Sequence, residues 1–251
     1  MELINGKIVL SEEEFRYNSN EDCESDLDKV MFDPFFLKHV EDQTEEMCLI
    51  AVRKDPLVLE FVKDQTEGIC LEAVKQDGDC LEFVHNQTEK ICLEAVKQNG
   101  FALYYVENQT PEICLEAVKQ FGNALQFVKD QTEEMCLEAV KENGCAIRYV
   151  KNKTEEICLE AVKQDGFVLQ FVKEKTPEMC LEAVKGNGYA LQFVEDQTEE
   201  ICLEAVKQNG DALRYVKEKT LNICFEALKQ FPYLSEILPF VPKEFLYKNS
   251  I

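Results

Sequence analysis

Threonine recurs at Thr44, Thr66, Thr88, Thr110, Thr132, Thr154, Thr176, Thr198 and Thr220, a step of 22 residues that never slips. Cysteine follows each threonine by four residues, from Cys48 to Cys224. Glycine follows by twelve, at Gly78, Gly100, Gly122, Gly144, Gly166, Gly188 and Gly210, with Pro56 and Pro232 in its place in the first and last units. A short, fixed period means stacked copies of one small unit, none of which can bury its apolar face alone. Composition permits the shared core that stacking needs, with 45% apolar and 10% aromatic residues among 251.

Each unit reads as two helices. Threonine is a good N-cap, and the residues after it are mostly glutamate, or proline then glutamate at Pro111 and Pro177, which suit the first turn of a helix. The first helix runs through a segment such as Ile91 to Gln98 and closes at Asn99-Gly100, with glycine read as the stop signal just past its end. The second is shorter, Phe101 to Val106 in that unit, and ends at an Asp/Asn/Glu-(Gln/Lys)-Thr turn.

Three rival readings of the period are set aside. Two separate globular domains would need a break, and no linker, low-complexity stretch or composition shift interrupts the array between Thr44 and Pro232. Leucine-rich repeats need a strand signature that is missing here. A continuous amphipathic helix, as in lipid-binding apolipoproteins, fits the spacing, because 22 residues is close to six helical turns. It would carry a glycine in each repeat at about 1 kcal/mol and interior prolines at about 3 kcal/mol.

The fold expected is therefore all-α, an α-solenoid of about nine 22-residue helix-turn-helix repeats with degenerate capping units at both ends. Residues 1–21 lie outside the pattern. Residues 22–43 read as a degenerate N-terminal cap with Leu27, Val30, Phe36, Leu37 and Val40 in register. The array proper is 44–232, and 233–251 reads as a hydrophobic C-terminal cap bearing Leu234, Ile237, Leu238, Phe240, Val241, Phe245 and Leu246.

Charge narrows the partners. The net charge of −22 repels nucleic acid and anionic membrane surfaces unless a local basic patch exists, and the linear sequence shows none. No apolar run approaches a membrane span, and Met1 to Leu10 is too short and polar for a signal peptide. The expectation is a soluble, cytoplasmic protein whose partner is another protein, with no cofactor.

Three ladders recur with the repeat. The cysteines invite metal, disulfide or redox readings, but equivalent positions in stacked units lie about 8–10 Å apart, beyond the reach of a disulfide. No Cys-x-x-Cys occurs, and His39 and His85 are the only histidines. The competing reading is a small buried side chain that suits close helix packing. Cys80 and Cys145 fall off the ladder and are expected to be partly exposed, and Cys23 is also off it. The aromatics Phe61, Phe83, Tyr105, Phe127, Tyr149, Phe171, Phe193 and Tyr215 are expected to complete the core face of the second helix. Glutamates from Glu72 to Glu204 each precede a lysine by three residues and read as solvated pairs. Equal rungs supply no single shielded place for catalysis, so no enzyme is expected.

Variation is the remaining signal. The first residue of the second helix changes from unit to unit, and so does the residue three further on. These positions share one face, so Phe101, Tyr104, Arg148, Phe167, Tyr189 and Arg214 are candidate partner-binding residues, the alternative being an unconstrained surface.

The motif Ala-Val-Lys-Gln-Asn-Gly-x-Ala-Leu, intact at Ala95 to Leu103 and Ala205 to Leu213, resembles a short helical repeat of unknown function known from mimivirus-like giant viruses and some intracellular bacteria. The resemblance covers Thr44 to Pro232, about three quarters of the chain. It implies a giant-virus product made in host cytoplasm, or packaged in a virion, and it carries no catalytic residues. Two roles follow: an interaction scaffold or adaptor, or a structural component that assembles with itself, as a monomer or a side-by-side dimer.

Overall fold

The backbone begins each repeat at its threonine. In the computed structural model, which describes residues 2–4, 7–9, 25–230 and 238–245, the Thr132 hydroxyl accepts the backbone N–H of Met135 at 3.3 Å. The α-helix Glu133–Glu142 follows, and the same cap opens Glu45–Lys54, Glu67–Gln76, Glu89–Gln98, Glu155–Gln164, Pro177–Gly186, Glu199–Gln208 and Leu221–Leu228. The helix Pro111–Gln120 takes its cap from Thr110. Glutamates in the first turn and lysine in the last complement the helix dipole. One face of each helix is buried, as with Met135, Cys136, Ala139 and Val140, and the spacing of these four residues is that of a helical stripe.

The second helix differs from the expectation. It is a six-residue 3-10 helix that begins at the glycine and ends at the aromatic residue, as in Gly144–Tyr149 and Gly188–Phe193. The valine assigned to it is instead a buried, extended residue just beyond. Six residues with three per turn place positions one, two and three of the first turn directly under those of the second. Alanine and the Leu or Ile after it point into the core, and the variable pair points outward.

The glycine is not a left-handed stop signal either. The residue before it is extended, with φ −146° at Asn143, and its side chain accepts the backbone N–H of Cys145 to cap the 3-10 helix. Glycine is needed for close approach. A Cβ on Gly166 would lie 2.2 Å from the Ala183 carbonyl oxygen of the next repeat, and one on Gly122 2.3 Å from that of Ala139. Asp55, Asp77, Asn99, Asp165, Asn187 and Asn209 supply the same cap, whereas Phe121 gives no side-chain cap hydrogen bond.

The stack divides into two compact units, Met1–Glu116 and Ala117–Ile251. In the first, the expected N-terminal cap is present as the helix Asp26–Phe32 and the 3-10 helix Pro34–His39, which bury Val30, Leu37 and Val40. A short antiparallel hairpin, Glu2–Ile4 paired with Lys7–Val9, occupies part of the segment outside the repeat. In the second unit, two 3-10 turns, Leu238–Phe240 and Lys243–Phe245, follow the last repeat, and Val241 is buried. Leu10, Cys23, Pro232, Leu234, Ile237 and Leu246 lie outside the described residues. No helix among the described residues is long and apolar enough to cross a membrane.

Candidate partner-binding surface

The surface is built on a seam that repeats. At the turn between one 3-10 helix and the next α-helix, Gln131 uses all its hydrogen-bonding groups. Its Nε2 donates to the Leu125 carbonyl of its own repeat at 3.3 Å and to the Tyr149 carbonyl of the next at 2.9 Å. Its Oε1 accepts the Lys151 backbone N–H at 2.9 Å and the Cys136 thiol at 3.7 Å. Gln43, Gln65, Gln87 and Gln197 repeat the arrangement, each joined to the aromatic residue eighteen positions on. A second set joins the far end of the unit, where Gly78 and Gly188 N–H groups donate to Gln98 and Gln208 at 2.7 Å.

The ladder cysteines serve this seam. All nine from Cys48 to Cys224 are buried free thiols, and each small side chain lets a helix lie close to the turn. Burial pushes Cys92 and Cys202 up to about 11, helped by nearby glutamates, so both stay protonated near neutrality. Cys80 corrects the expectation of exposure. It fills the core position that Ala102 and Ala146 take in other repeats, and it is 0% exposed. Burial, with Asp77 and Asp55 nearby, pushes its thiol up to about 12. Cys145 is half-buried, its thiol 3.9 Å from Asp165. Among the described residues no cluster of potential ligands has the arrangement of a metal site.

The aromatic ladder also departs from its expected place. These rings are half-buried at the edge of the core, and Phe171 is 36% exposed. The reason is geometric. The aromatic residue closes the 3-10 helix at the seam, where its carbonyl accepts the next glutamine bond and its ring meets the variable residues of the neighbouring repeat.

Those contacts sort the six candidate residues. In the first unit, Phe101 is half-buried, and Tyr104 is 66% exposed with its ring edge-on to Tyr105 at 5.1 Å. In the second unit, Phe167 packs edge-on against Phe193 at 5.6 Å, and Tyr189 against Tyr215 at 6.1 Å. The Tyr189 hydroxyl also donates to Asp211 at 3.1 Å. Phe167 and Tyr189 therefore brace adjoining repeats. Arg148 and Arg214 are exposed: Arg148 lies 5.6 Å from the Phe171 ring, and Arg214 pairs with Asp211 at 3.1 Å and lies 5.2 Å from the Phe240 ring. The two variable positions, second and fifth in the 3-10 helix, do share a face, as the Arg214–Asp211 pair shows, but the fifth is the more exposed.

Of the expected glutamate–lysine pairs, Glu138–Lys141 (2.9 Å), Glu160–Lys163, Glu182–Lys185 (2.6 Å) and Glu204–Lys207 form on the α-helices, whereas Glu72 pairs with Arg53 of the preceding repeat at 3.3 Å. They are exposed pairs of a kind that adds little stability.

Sequence reading missed two features. The glutamine of the Asp/Asn/Glu-(Gln/Lys)-Thr turn was given no role, although it precedes the threonine in six of the nine units. The turn lysines Lys151 and Lys153 come together with Lys173 of the next turn along one recess of about 410 Å³ in the second unit, which Glu155 and Glu174 also line.

A family model described as a domain of unknown function (DUF4116) matches residues 44–88, 66–110, 88–131, 110–154, 132–176, 154–198, 176–221 and 198–246. Successive matches overlap, so the windows follow the same step as the threonines. No curated protein and no solved structure matches the chain.

Proposed function

The chain belongs to the DUF4116 family, and from that premise we propose that it is a non-enzymatic interaction module, an acidic scaffold or adaptor that presents repeat-built surfaces to a protein partner. The observation that supports this reading is the contrast between a uniform seam and irregular exposed residues on it, Tyr104, Arg148 and Arg214 above all. Rigid aromatic and arginine side chains on a pre-formed surface are the residue types that dominate protein interfaces. The resemblance of the repeat to those of giant viruses and intracellular bacteria supports a partner in the cytoplasm of an infected cell, with packaging in a virion as the alternative setting.

The test is a pull-down with the intact chain beside a Tyr104→Ala, Arg148→Ala, Arg214→Ala variant whose helical content is unchanged. A partner held by the first and lost by the second supports the reading. Binding that survives all three changes removes the stripe from the account. Light scattering separates the structural role, since a self-assembling component gives masses that rise with concentration and an adaptor gives one constant mass.

A further inference from the structure

Each set of seam bonds has gaps. The first lapses where lysine replaces the turn glutamine, at Lys153, Lys175 and Lys219. The second lapses at Gly144 and Gly166. Elsewhere in the second unit the glycine N–H donates to a side chain of the next repeat, Gly122 to Glu142 at 2.5 Å, and Gly188 and Gly210 to Gln208 and Gln230 at 2.7 Å. Gly166 has no such acceptor because Gly186 stands in that column. Gln164 stands there for Gly144, yet among the described residues the N–H of this buried glycine meets no acceptor.

A buried N–H without a partner is rare in folded chains, and this one follows asparagine. Three Asn-Gly links lie in the second unit, Asn143–Gly144, Asn187–Gly188 and Asn209–Gly210. Such a link is prone to a reaction of its own, in which the glycine nitrogen, shielded by no side chain, attacks the asparagine amide. The electrophile is prepared alike at all three. The asparagine φ angles are −146°, −151° and −150°, and each Oδ1 accepts the backbone N–H two residues on, at 3.0, 3.1 and 3.0 Å. That donor is already aimed at the oxygen on which negative charge develops during attack. Only the nucleophile differs. The Gly188 and Gly210 nitrogens must first leave a glutamine, and the Gly144 nitrogen leaves nothing. The facing carbonyl also stands further off, since an added Cβ would lie 2.8 Å from the Ala161 oxygen at Gly144 and 2.5 Å from the Ala205 oxygen at Gly188. Before Gly166 stands Asp165, whose carboxylate resists such attack.

We infer that Asn143–Gly144 is a modification site, at which the chain converts its own asparagine without an enzyme. The Gly144 N–H gives its proton to hydroxide, and the nitrogen bonds to Asn143 Cγ. The Cγ–Nδ2 bond breaks, and ammonia leaves with a proton taken from water. Water then opens the cyclic imide at either carbonyl, leaving aspartate or isoaspartate. Water is consumed, ammonia is released, and nothing is oxidised or reduced. Aspartate keeps the cap, as Asp165 does for the Phe167 N–H at 2.9 Å. Isoaspartate lengthens the backbone where Gly144 passes Ala161, and so loosens this contact between repeats.

The experiment holds the full chain folded in mildly alkaline buffer and digests samples with trypsin over time. Cleavage at Lys141, Arg148, Lys185, Lys207 and Arg214 puts the three asparagines in separate peptides, and mass spectrometry follows the exchange of amide for carboxyl. Asn143 is expected to react at least about five-fold faster than Asn187 or Asn209, the protection that one hydrogen bond gives. In urea the three are expected to react alike. Gln208→Ala, which frees the Gly188 N–H, is expected to bring Asn187 to the rate of Asn143 and to leave Asn209 unchanged. Gln208→Glu keeps an acceptor, as Glu142 does for Gly122, and is expected to leave Asn187 slow. Equal rates in the folded chain, a difference that persists in urea, or an Asn187 rate unmoved by Gln208→Ala overturns the proposal.

Discussion

The turn at Gln131 and the turn at Lys153 occupy the same place in successive repeats and do different things. The first spends every polar atom of its side chain on its own repeat and the next. The second bonds within its own turn and leaves an ammonium beside an open recess. The difference teaches that each repeat carries a constant seam, which holds the stack, and a few positions at which the seam is relaxed and surface chemistry enters.

Both turns rest on the same close approach, so the largest effect is expected there. Gly166→Ala forces a Cβ to within 2.2 Å of a backbone carbonyl and is expected to lower stability by about 3 kcal/mol or more. Gly68, whose added Cβ would meet only the Thr66 hydroxyl oxygen at 3.8 Å, is the control. Its replacement by alanine is expected to be neutral or to add about 0.5 kcal/mol. Denaturant midpoints check both, and a loss below about 1 kcal/mol at Gly166 would show that the repeats are not in the contact described.

Two of the ladder thiols carry large shifts. Cys92 and Cys202, over glutamine turns, have thiols raised by burial from 9.0 to about 11. Because the folded value is higher, the unfolded chain loses the proton first. Stability is complete below about pH 9 and is lost as pH rises toward 11, on the order of 1–3 kcal/mol for each such thiol. At Cys158 and Cys180 burial also raises the thiol while Lys153 and Lys175 oppose it, as Lys219 does at Cys202, but at Cys202 Glu199 adds to the rise ahead of that opposition. Cys202→Ala is therefore expected to flatten the alkaline decline more than Cys158→Ala, and thermal melts from pH 7 to 11 read the difference.

Exchanging the turns is expected to have a smaller effect. Gln131→Lys should cost about 1–2 kcal/mol, from hydrogen bonds between repeats that lysine cannot replace. Calorimetry showing no cost would mean that the glutamine seam is ornamental. Smallest is a repair. Gly186 ends its helix where Gln98 and Gln208 accept a glycine N–H in other repeats, and its added Cβ would lie 3.9 Å from the Gly166 nitrogen. Gly186→Gln is expected to add about 1 kcal/mol, and a fall in melting temperature would contradict the second set of seam bonds.

How much of this was legible in the residues follows from what period encodes. Threonine caps, apolar faces and breakers act within a few residues, so the helix starts and the stacked architecture could be read directly. The 3-10 form of the second helix was hidden, because Asn99-Gly100 suits a helix stop as well as the cap of a new helix. Glycine's role depended on a carbonyl in the next repeat, and local sequence does not show what approaches from outside. Cys80 was misplaced because it was judged by the cysteine ladder rather than by the alanine column it occupies. The candidate stripe was found as a face, but only folding showed that Phe167 and Tyr189 lean on neighbouring rings while Tyr104 and Arg148 stay exposed. The recess beside Lys153 was invisible for the same reason, its two walls lying one repeat apart in the chain and joined only by stacking.

Amide hydrogen exchange on the intact chain tests the division of the seam most directly. The Lys151 backbone N–H donates to Gln131, whereas the turn one repeat on carries Lys153 in place of that glutamine, with no side-chain acceptor for the equivalent Lys173 N–H. The account predicts that the Lys151 amide exchanges at least about ten-fold more slowly than that of Lys173, with the His85 and Lys217 amides, held by Gln65 and Gln197, slow like Lys151. Equal protection of Lys151 and Lys173 would contradict it.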